Sequence, residues 1–339
     1  MKKVILGFAV SIMLTSVAIA ADVKATTKPI VIKVSHVVKS GATKGIGAEQ
    51  FKKIMESKFP GRVKVEVYHD NTLFKDREES EALELNAVNV IIPTTGKVSA
   101  FYGVKEFELF DLPFLFNKGE DITRFTQSIT GEKLLGFFNN KNKNLYAITY
   151  WPNDFRNYIG SKFYKKPDDF KGMVARTETL GTMKMFYEVL GTKEAITLAF
   201  SDLGKALKKE GEFKVDVAGN PNSNALQSKF YESSKFLTLS NHDVNSYVFL
   251  TNRRWFNNLP DDIKVGLTDA AKQAGLFHFE VAQKNSTKEL AELQKNGVKV
   301  YTWTKEEKEE FKKKAVTVHE NYLKNINKEF LNEVYTIVR

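Results

Sequence analysis

Residues 30–92 read IVIKVSHVVKSGATKGIGAEQFKKIMESKFPGRVKVEVYHDNTLFKDREESEALELNAVNVII. Ile30 to His36 alternates apolar and polar side chains in part, the period of a strand with one buried face. Thr43 to Ser57 carries Ile46, Phe51, Ile54 and Met55 at helical spacing, and Pro60 with Gly61 ends that run. Arg62 to Tyr68 alternates again. Asp76 to Leu85 reads as a helix whose start Asp76 is suited to cap. Val88 to Ile92 is a short buried strand. This β-α-β-α-β order predicts right-handed crossovers and a largely parallel sheet.

The same rhythm returns further along the chain. Leu145 to Trp151 and Met173 to Arg176 read as strands. Thr182 to Leu190 reads as a helix with Met183, Phe186, Val189 and Leu190 on one face. Ala195 to Phe200 is a strand, with Ser201 capping the helix after it, and Val215 to Ala218 is another strand. Pro260 opens a helical region running to about Gln294, because proline suits a first helical turn. Val298 to Trp303 is a late strand, and Thr304 caps a final helical segment. No Pro-, Gly- or Ser-rich linker separates the two blocks. Two α/β lobes joined by ordinary strands are the arrangement of hinge-bending binding proteins.

The chain has 339 residues, enough for about two domains. Cysteine is absent, which excludes disulfides, thiolate metal sites, a cysteine nucleophile and a lipidated-cysteine anchor. No two of the five histidines stand at metal-ligand spacing in sequence, and HExxH is missing, so no metal is expected. Residues 1–20, MKKVILGFAVSIMLTSVAIA, combine two lysines, an apolar run and a small-x-small end. That is the pattern of a secretory signal peptide cleaved after Ala20, and the run is short for a membrane span. Cleavage lowers the formal net charge of +10 by two. Lys and Arg are spread along the chain, and stretches such as residues 305–314 (KEEKEEFKKK) mix both signs, as solvated faces do. An exported, mildly basic protein of this kind suits acidic small molecules rather than nucleic acid.

Two local matches suggest an enzyme. SGATKGIG at residues 40–47 follows a strand and enters a helix, like the cofactor loop of short-chain dehydrogenases. Tyr158 and Lys162 match their YxxxK pair. Against this, no serine stands where that family carries its catalytic one, and the first strand holds polar residues. A nicotinamide enzyme would also be stranded by export. Gly41, Gly45 and Gly47 equally suit a turn with close strand–helix packing.

Several separated segments, taken in order, resemble one family. They are residues 62–78 (RVKVEVYHDNTLFKDRE), 107–116 (FELFDLPFLF), 151–156 (WPNDFR), 167–176 (PDDFKGMVAR), 198–207 (LAFSDLGKAL) and 215–221 (VDVAGNP). Phe230 to Glu232, Asn241 with His242, and Trp255 to Pro260 complete the series. From about Ile30 to Ala274 the order resembles the extracytoplasmic substrate-binding proteins of TRAP transporters, the DctP-type family.

The resemblance implies an α/β, two-lobed periplasmic-binding-protein-like fold with the ligand cleft between lobes and a long helix spanning both. Lobe I is expected over 21–153 plus 247–285, and lobe II over 154–246 plus 286–339. It implies a small carboxylate ligand, no cofactor, no catalysis and a monomeric protein. Its partners are the small and large membrane permease subunits of a TRAP transporter. A sensing protein for a membrane receptor kinase would use the same pocket.

Arg176 matches the family arginine that grips the ligand carboxylate, and a planar guanidinium suits that task. Its plainer role would be an ion pair with Glu178. Arg156 matches a second pocket arginine. Asn220 matches the asparagine completing the carboxylate site, though it also suits a helix cap before Pro221. Phe200 matches an aromatic covering the ligand and equally suits core packing. Asp76, Thr94 and His36 match first-lobe positions that face the cleft. The family's glycine before the Phe-Arg pair is Asp154 here, a carboxylate placed to neutralise Arg156 or to select a cationic ligand. Ala218 and Gly219 replace larger polar residues of the family pattern.

Overall fold

The computed structural model describes residues 28–338, so the signal segment and its cleavage site lie outside the described residues. Strands β1 (Ile30–Ser35), β2 (Val63–Tyr68) and β3 (Val90–Ile91) pair in parallel. They form one sheet with the long strands β4 (Leu145–Phe155) and β10 (Val244–Asn252), in the order β2-β1-β3-β10-β4. Strand β10 runs antiparallel to both neighbours, which closes the parallel part predicted from residues 30–92. The helix Thr43–Lys58 covers this sheet by burying Ala48, Phe51 and Met55 against Ile32, Val34, Val63 and Val65.

The second sheet has six strands. They are β5 (Asn157–Gly160), β6 (Val174–Thr177), β7 (Glu194–Thr197), β8 (Val217–Asn220), β9 (Phe236–Leu239) and β11 (Lys299–Thr302). Their order is β11-β9-β5-β8-β6-β7. The chain passes from the first sheet to the second between β4 and β5, and returns between β9 and β10. Arg156 is the single residue between β4 and β5, and Asp243 immediately precedes β10. The two crossings are tied together there, because the Arg156 amide donates to the Asp243 carbonyl at 2.9 Å.

The helix Asp261–Lys295 spans both lobes. Its first half buries Ile263, Leu267, Ala270, Ala271 and Ala274 with Phe51 and Trp151. Its far end places Leu293 in the second-lobe core with Ile159, Leu237 and Val298. Trp151 fastens the middle by donating its indole N–H to the Ala271 carbonyl at 2.9 Å. The stretch Phe107–Phe116 bridges the lobes from the other side. Phe107, Phe110 and Phe116 join Phe125 and Tyr150, while Phe114 packs on Phe186 and Trp303 of the second lobe. Phe114 reaches that position at a positive φ of 61°, a strained setting held by its amide donating to the His242 carbonyl at 2.7 Å. The last helix, Lys328–Val338, packs on the helices Gly119–Thr126 and Ile129–Lys141.

Two local expectations change. Strand β7 stops at Thr197, and Phe200 starts the helix Phe200–Leu207 instead of ending a strand. Asp76 opens its helix but does not cap it; Lys75 is the N-cap residue, and the Asp76 side chain is used across the cleft.

Glycine at 275 lets the long helix approach β4, since a Cβ there would lie 2.6 Å from Trp151 Cδ1 and 2.8 Å from the Tyr150 carbonyl oxygen. Gly136 has open space around it in an ordinary helix. Urea unfolding should therefore show Gly275→Ala destabilised by about 1–3 kcal/mol despite its better helix propensity. Gly136→Ala should be stabilised by roughly 0.5–1 kcal/mol.

Candidate functional site

The site is built around Arg156 at the strand crossing. Its Nη1 donates to Asp243 Oδ1 at 2.8 Å, to Asp111 Oδ1 at 3.0 Å and to the Val244 carbonyl at 3.1 Å. Its Nη2 reaches Asn245 Oδ1 at 3.2 Å and Glu178 Oε1 at 3.5 Å. The side chain is 1% exposed, so these partners stand in for water at both terminal nitrogens, while Nε is buried without a partner among the described residues.

Arg176 sits near the C-terminal end of β6, where open α/β sheets present ligand groups. Its Nε and Nη2 both donate to the Leu198 carbonyl, at 3.0 and 2.8 Å. That grip aims the third nitrogen. Nη1 is buried, has no hydrogen-bond acceptor, and stands 3.5 Å from Glu178 Oε1. Asn220 ends β8 with its Nδ2 also buried and unpartnered. Arg176 pairs with Ala218 in parallel register, so Asn220 lies on the same sheet face one pleat further on. Unsatisfied buried donors are costly, and two sharing one face mark a place for an acceptor.

Glu178 stands in front of both arginines. Burial alone would raise its pKa. Arg156, Lys97, Arg176 and the Thr94 hydroxyl outweigh that and hold the carboxyl far below the usual range. Glu178 and Thr94 line a small chamber with Lys44, Asp76, Lys97 and Phe200. The chamber measures about 20 Å³, room for about one water. Admitting an organic acid requires the lobes to part. Glu178 also lines a wider cleft of about 920 Å³ outside it.

Three carboxylates tie the lobes, two at this chamber and Glu108 at the wider cleft. Thr94 donates to Glu178 Oε2 at 2.8 Å. The Phe200 amide donates to Asp76 Oδ2 at 3.0 Å, so Asp76 caps a helix of the opposite lobe. Thr182, the first residue of the helix Thr182–Val189, donates its amide and hydroxyl to Glu108 Oε2 at 2.9 and 2.7 Å. Helix N-termini stabilise such anions through unpaired amides and the helix dipole. Gly181 makes this possible, because a Cβ there would strike the Glu108 carboxylate.

Of the residues singled out from sequence, Asp76, Thr94 and Phe200 line the chamber, and Arg156 and Arg176 lie behind Glu178. Asn220 does not cap a helix; Pro221 is the N-cap residue of Asn222–Gln227. His36 turns away from the chamber, its Nε2 lying 2.8 Å from His69 Nδ1, which in turn leads to Glu49. Asp154 does not neutralise Arg156. Its carboxylate accepts from Ser286 of the long helix at 2.6 Å and from the Phe155 amide. Gly219 leaves space for His242, whose ring stacks on Tyr158 at 4.0 Å between centroids. Tyr158 is thus part of an aromatic core, and Lys162 lies over the Tyr164 ring. Gly45 and Gly47 are held close to the Ser40 backbone and to Trp151 with His278, as a packing turn requires.

The sequence reading passed over Lys44 and Lys97. Lys97 Nζ donates to Asp76 Oδ1 at 2.5 Å, and Lys44 Nζ donates to the Ile92 carbonyl at 3.0 Å beneath the Tyr247 ring. Burial lowers the Lys44 pKa to about 8 and raises that of nearby Glu79 to about 7. The helix register of Lys97, one turn after Thr94, was the available signal. Among the described residues, no group of three or more His, Asp or Glu side chains is arranged to hold a metal ion.

Arg156→Leu should lose about 3–5 kcal/mol in urea unfolding, because the buried carboxyl groups of Asp111, Asp243 and Glu178 would lose the guanidinium that they share. Acid should also act on the buried histidines before the exposed carboxylates titrate. Burial depresses the pKa of His242 to about 4 and of His278 to about 3. Below the unfolded value of about 6.5, the unfolded chain takes up protons that the native one refuses. These histidines should therefore cost stability from pH 6.5 towards pH 4.5, by up to about 1.4 kcal/mol per pH unit for each, against an opposite contribution from Glu79 and Glu289, whose pKa values, raised by burial to about 7, let the native chain take up protons there. Calorimetric Tm across that range checks this: as pH falls, the difference between His278→Leu and wild type should move in favour of the variant.

Comparison with known proteins places the fold in one family. The family model for bacterial extracellular solute-binding protein, family 7 (DctP), matches residues 34–325. The C4-dicarboxylate-binding periplasmic protein DctP of Rhodobacter capsulatus is 32% identical over 321 residues, covering 94% of each chain. A TRAP periplasmic solute-binding protein from Shewanella oneidensis with bound succinate superposes with a TM-score of 0.86. It is 26% identical, over 92% of this chain and 100% of that one. One from Pseudomonas aeruginosa with bound L-malate gives a TM-score of 0.81 at 30% identity, over 87% and 100%. With a match over most of its length to one family and one two-lobed fold, the chain belongs to the DctP family of bacterial extracellular solute-binding proteins.

Proposed function

We propose that this protein is exported after cleavage at Ala20 and captures a small organic acid between its lobes as a monomer. It then delivers that acid to the small and large membrane subunits of a TRAP-type transporter. The observation that carries the reading is the pair of buried, unpartnered donors, Arg176 Nη1 and Asn220 Nδ2, on one sheet face behind the cleft. A ligand carboxylate supplies the acceptors that both lack. Arg156 anchors the hinge and the clamp together, while Asp76, Thr94 and Lys97 present first-lobe groups to the far end of the ligand. His36 supports that wall from behind through His69.

In this mechanism the open cleft admits the acid, aided by the basic surface. Closure then brings Asp76 onto the Phe200 amide and Glu108 onto Thr182. These contacts exist only when the lobes meet, so a ligand that binds both lobes shifts the population towards the closed form. The closed form is the one that docks on the permease. We place the lobe boundaries at the two strand crossings around residues 153 and 246, with the long helix passing from one lobe to the other near residue 285. Relatives and neighbours named for C4-dicarboxylates, succinate, L-malate and, in a sugar-acid-binding protein from Advenella mimigardefordensis, galactonate support an organic acid as ligand.

The test is thermal unfolding of the processed chain, refolded to strip ligand, against mono- and dicarboxylates, sugar acids and amino acids. A ligand at about a thousand times its Kd should add on the order of 4 kcal/mol, a shift of several degrees. Arg176→Ala should abolish that shift. A shift of equal size in Arg176→Ala would rule out the clamp, and no shift with any acid would rule out the function.

A further inference from the structure

We propose that Glu178 determines specificity: its carboxylate selects acids that carry a hydrogen-bond donor, hydroxyl or ammonium, on the carbon next to the bound carboxylate. The inference rests on the proposed clamp of Arg176 and Asn220. Arg176 was expected to grip a ligand, yet the carboxylate standing 3.5 Å from its free Nη1 belongs to the protein itself. Glu178 therefore becomes the immediate neighbour of any anion that Arg176 takes.

The two oxygens of Glu178 are used unequally. Oε2 is filled by the Thr94 hydroxyl at 2.8 Å. Among the described residues, Oε1 has two polar contacts, at 3.5 Å to Arg156 Nη2 and 3.5 Å to Arg176 Nη1. Both are at the outer limit of a hydrogen bond, and a carboxylate oxygen has two lone pairs. Oε1 thus retains strong acceptor capacity. Two arginines, Lys97 and the Thr94 hydroxyl keep the group ionised, so it offers no proton to a ligand. Arg156 cannot swing forward to neutralise it more closely, because Asp111, Asp243, Asn245 and the Val244 carbonyl hold that guanidinium.

A ligand carboxylate on Arg176 Nη1 therefore meets a fixed anion in a buried site. A plain acid leaves that repulsion uncompensated, and Oε1 stays short of donors. An acid with an adjacent hydroxyl or ammonium donates to Oε1, converting the repulsion into a charge-assisted hydrogen bond. A site with a buried acceptor of this kind rejects analogues that lack the matching donor. Glu178 faces both the closed chamber and the outer cleft, so it meets the ligand on entry as well as after closure.

Calorimetric titration of the refolded protein with succinate, L-malate, D-malate and L-aspartate tests this, in wild type, Glu178→Gln and Glu178→Met. Gln keeps the shape without the charge, and Met keeps the volume without an acceptor; thermal unfolding confirms that each variant folds. Wild type should bind at least one donor-bearing acid about tenfold or more tighter than succinate. In both variants succinate should bind several-fold tighter than in wild type, and the preference should shrink to roughly threefold or less. Succinate binding wild type as tightly as the other three, or a preference unchanged in the variants, overturns the role of Glu178 while leaving the clamp standing. Binding of none of these acids to wild type also overturns this inference, and binding of succinate equally to wild type and Arg176→Ala overturns the clamp itself and this inference with it.

Discussion

The structure depends on one buried guanidinium. Arg156 occupies the single position between β4 of one sheet and β5 of the other. A charge taken out of water costs several kcal/mol unless it is paired and hydrogen-bonded. Its neutralisation fixes three separate segments around the crossing: Asp111 from the bridging stretch, Asp243 from the return crossing, and Glu178 from beyond β6. The strand crossing and the candidate site therefore share one set of buried charges.

Around that fixed point the lobes meet through carboxylates placed on the helix starts of the opposite side. Asp76 serves the helix beginning at Phe200 and Glu108 the helix beginning at Thr182. Each contact exchanges water for amides already aligned by the helix, which makes closure favourable but modest. A modest closing energy is what a receptor needs if its ligand is to decide between open and closed forms. Lys44, Lys97, Asp76 and Glu79 then form a first-lobe wall of alternating charge: burial lowers the Lys44 pKa and raises that of Glu79, while Lys97 and the Phe200 amide outweigh burial and hold Asp76 below the usual carboxylate range.

Much of the fold was legible in the sequence. The β-α-β-α-β run of residues 30–92 and the start of the long helix at Pro260 were set by local periodicity and turn chemistry, and the structure follows both. Arg176 at a strand end was legible for the same reason. What sequence could not show was which side chain faces which across the cleft. Asp76 was assigned to its own helix because local capping is the default, yet its carboxylate serves a helix start 124 residues away. Phe200 was placed in a strand because its apolar neighbours continue the β7 pattern, while the Asp76 contact favours a helix beginning there. Asp154 looked like a partner for Arg156 from adjacency alone, but its carboxylate is taken by Ser286 of the long helix and by the Phe155 amide, contacts that nothing local announces. Glu178 entered the sequence reading only as an ion-pair partner, since nothing local says that such a pair is buried at the centre of the cleft.

The most direct test of the account is a crystal structure of the refolded protein grown with whichever acid stabilises it most. The account predicts one ligand carboxylate within hydrogen-bond distance of both Arg176 Nη1 and Asn220 Nδ2, with the Arg156 contacts to Asp111 and Asp243 unchanged. A carboxylate bound instead by Lys44 and Lys97, leaving Arg176 Nη1 untouched, would contradict it.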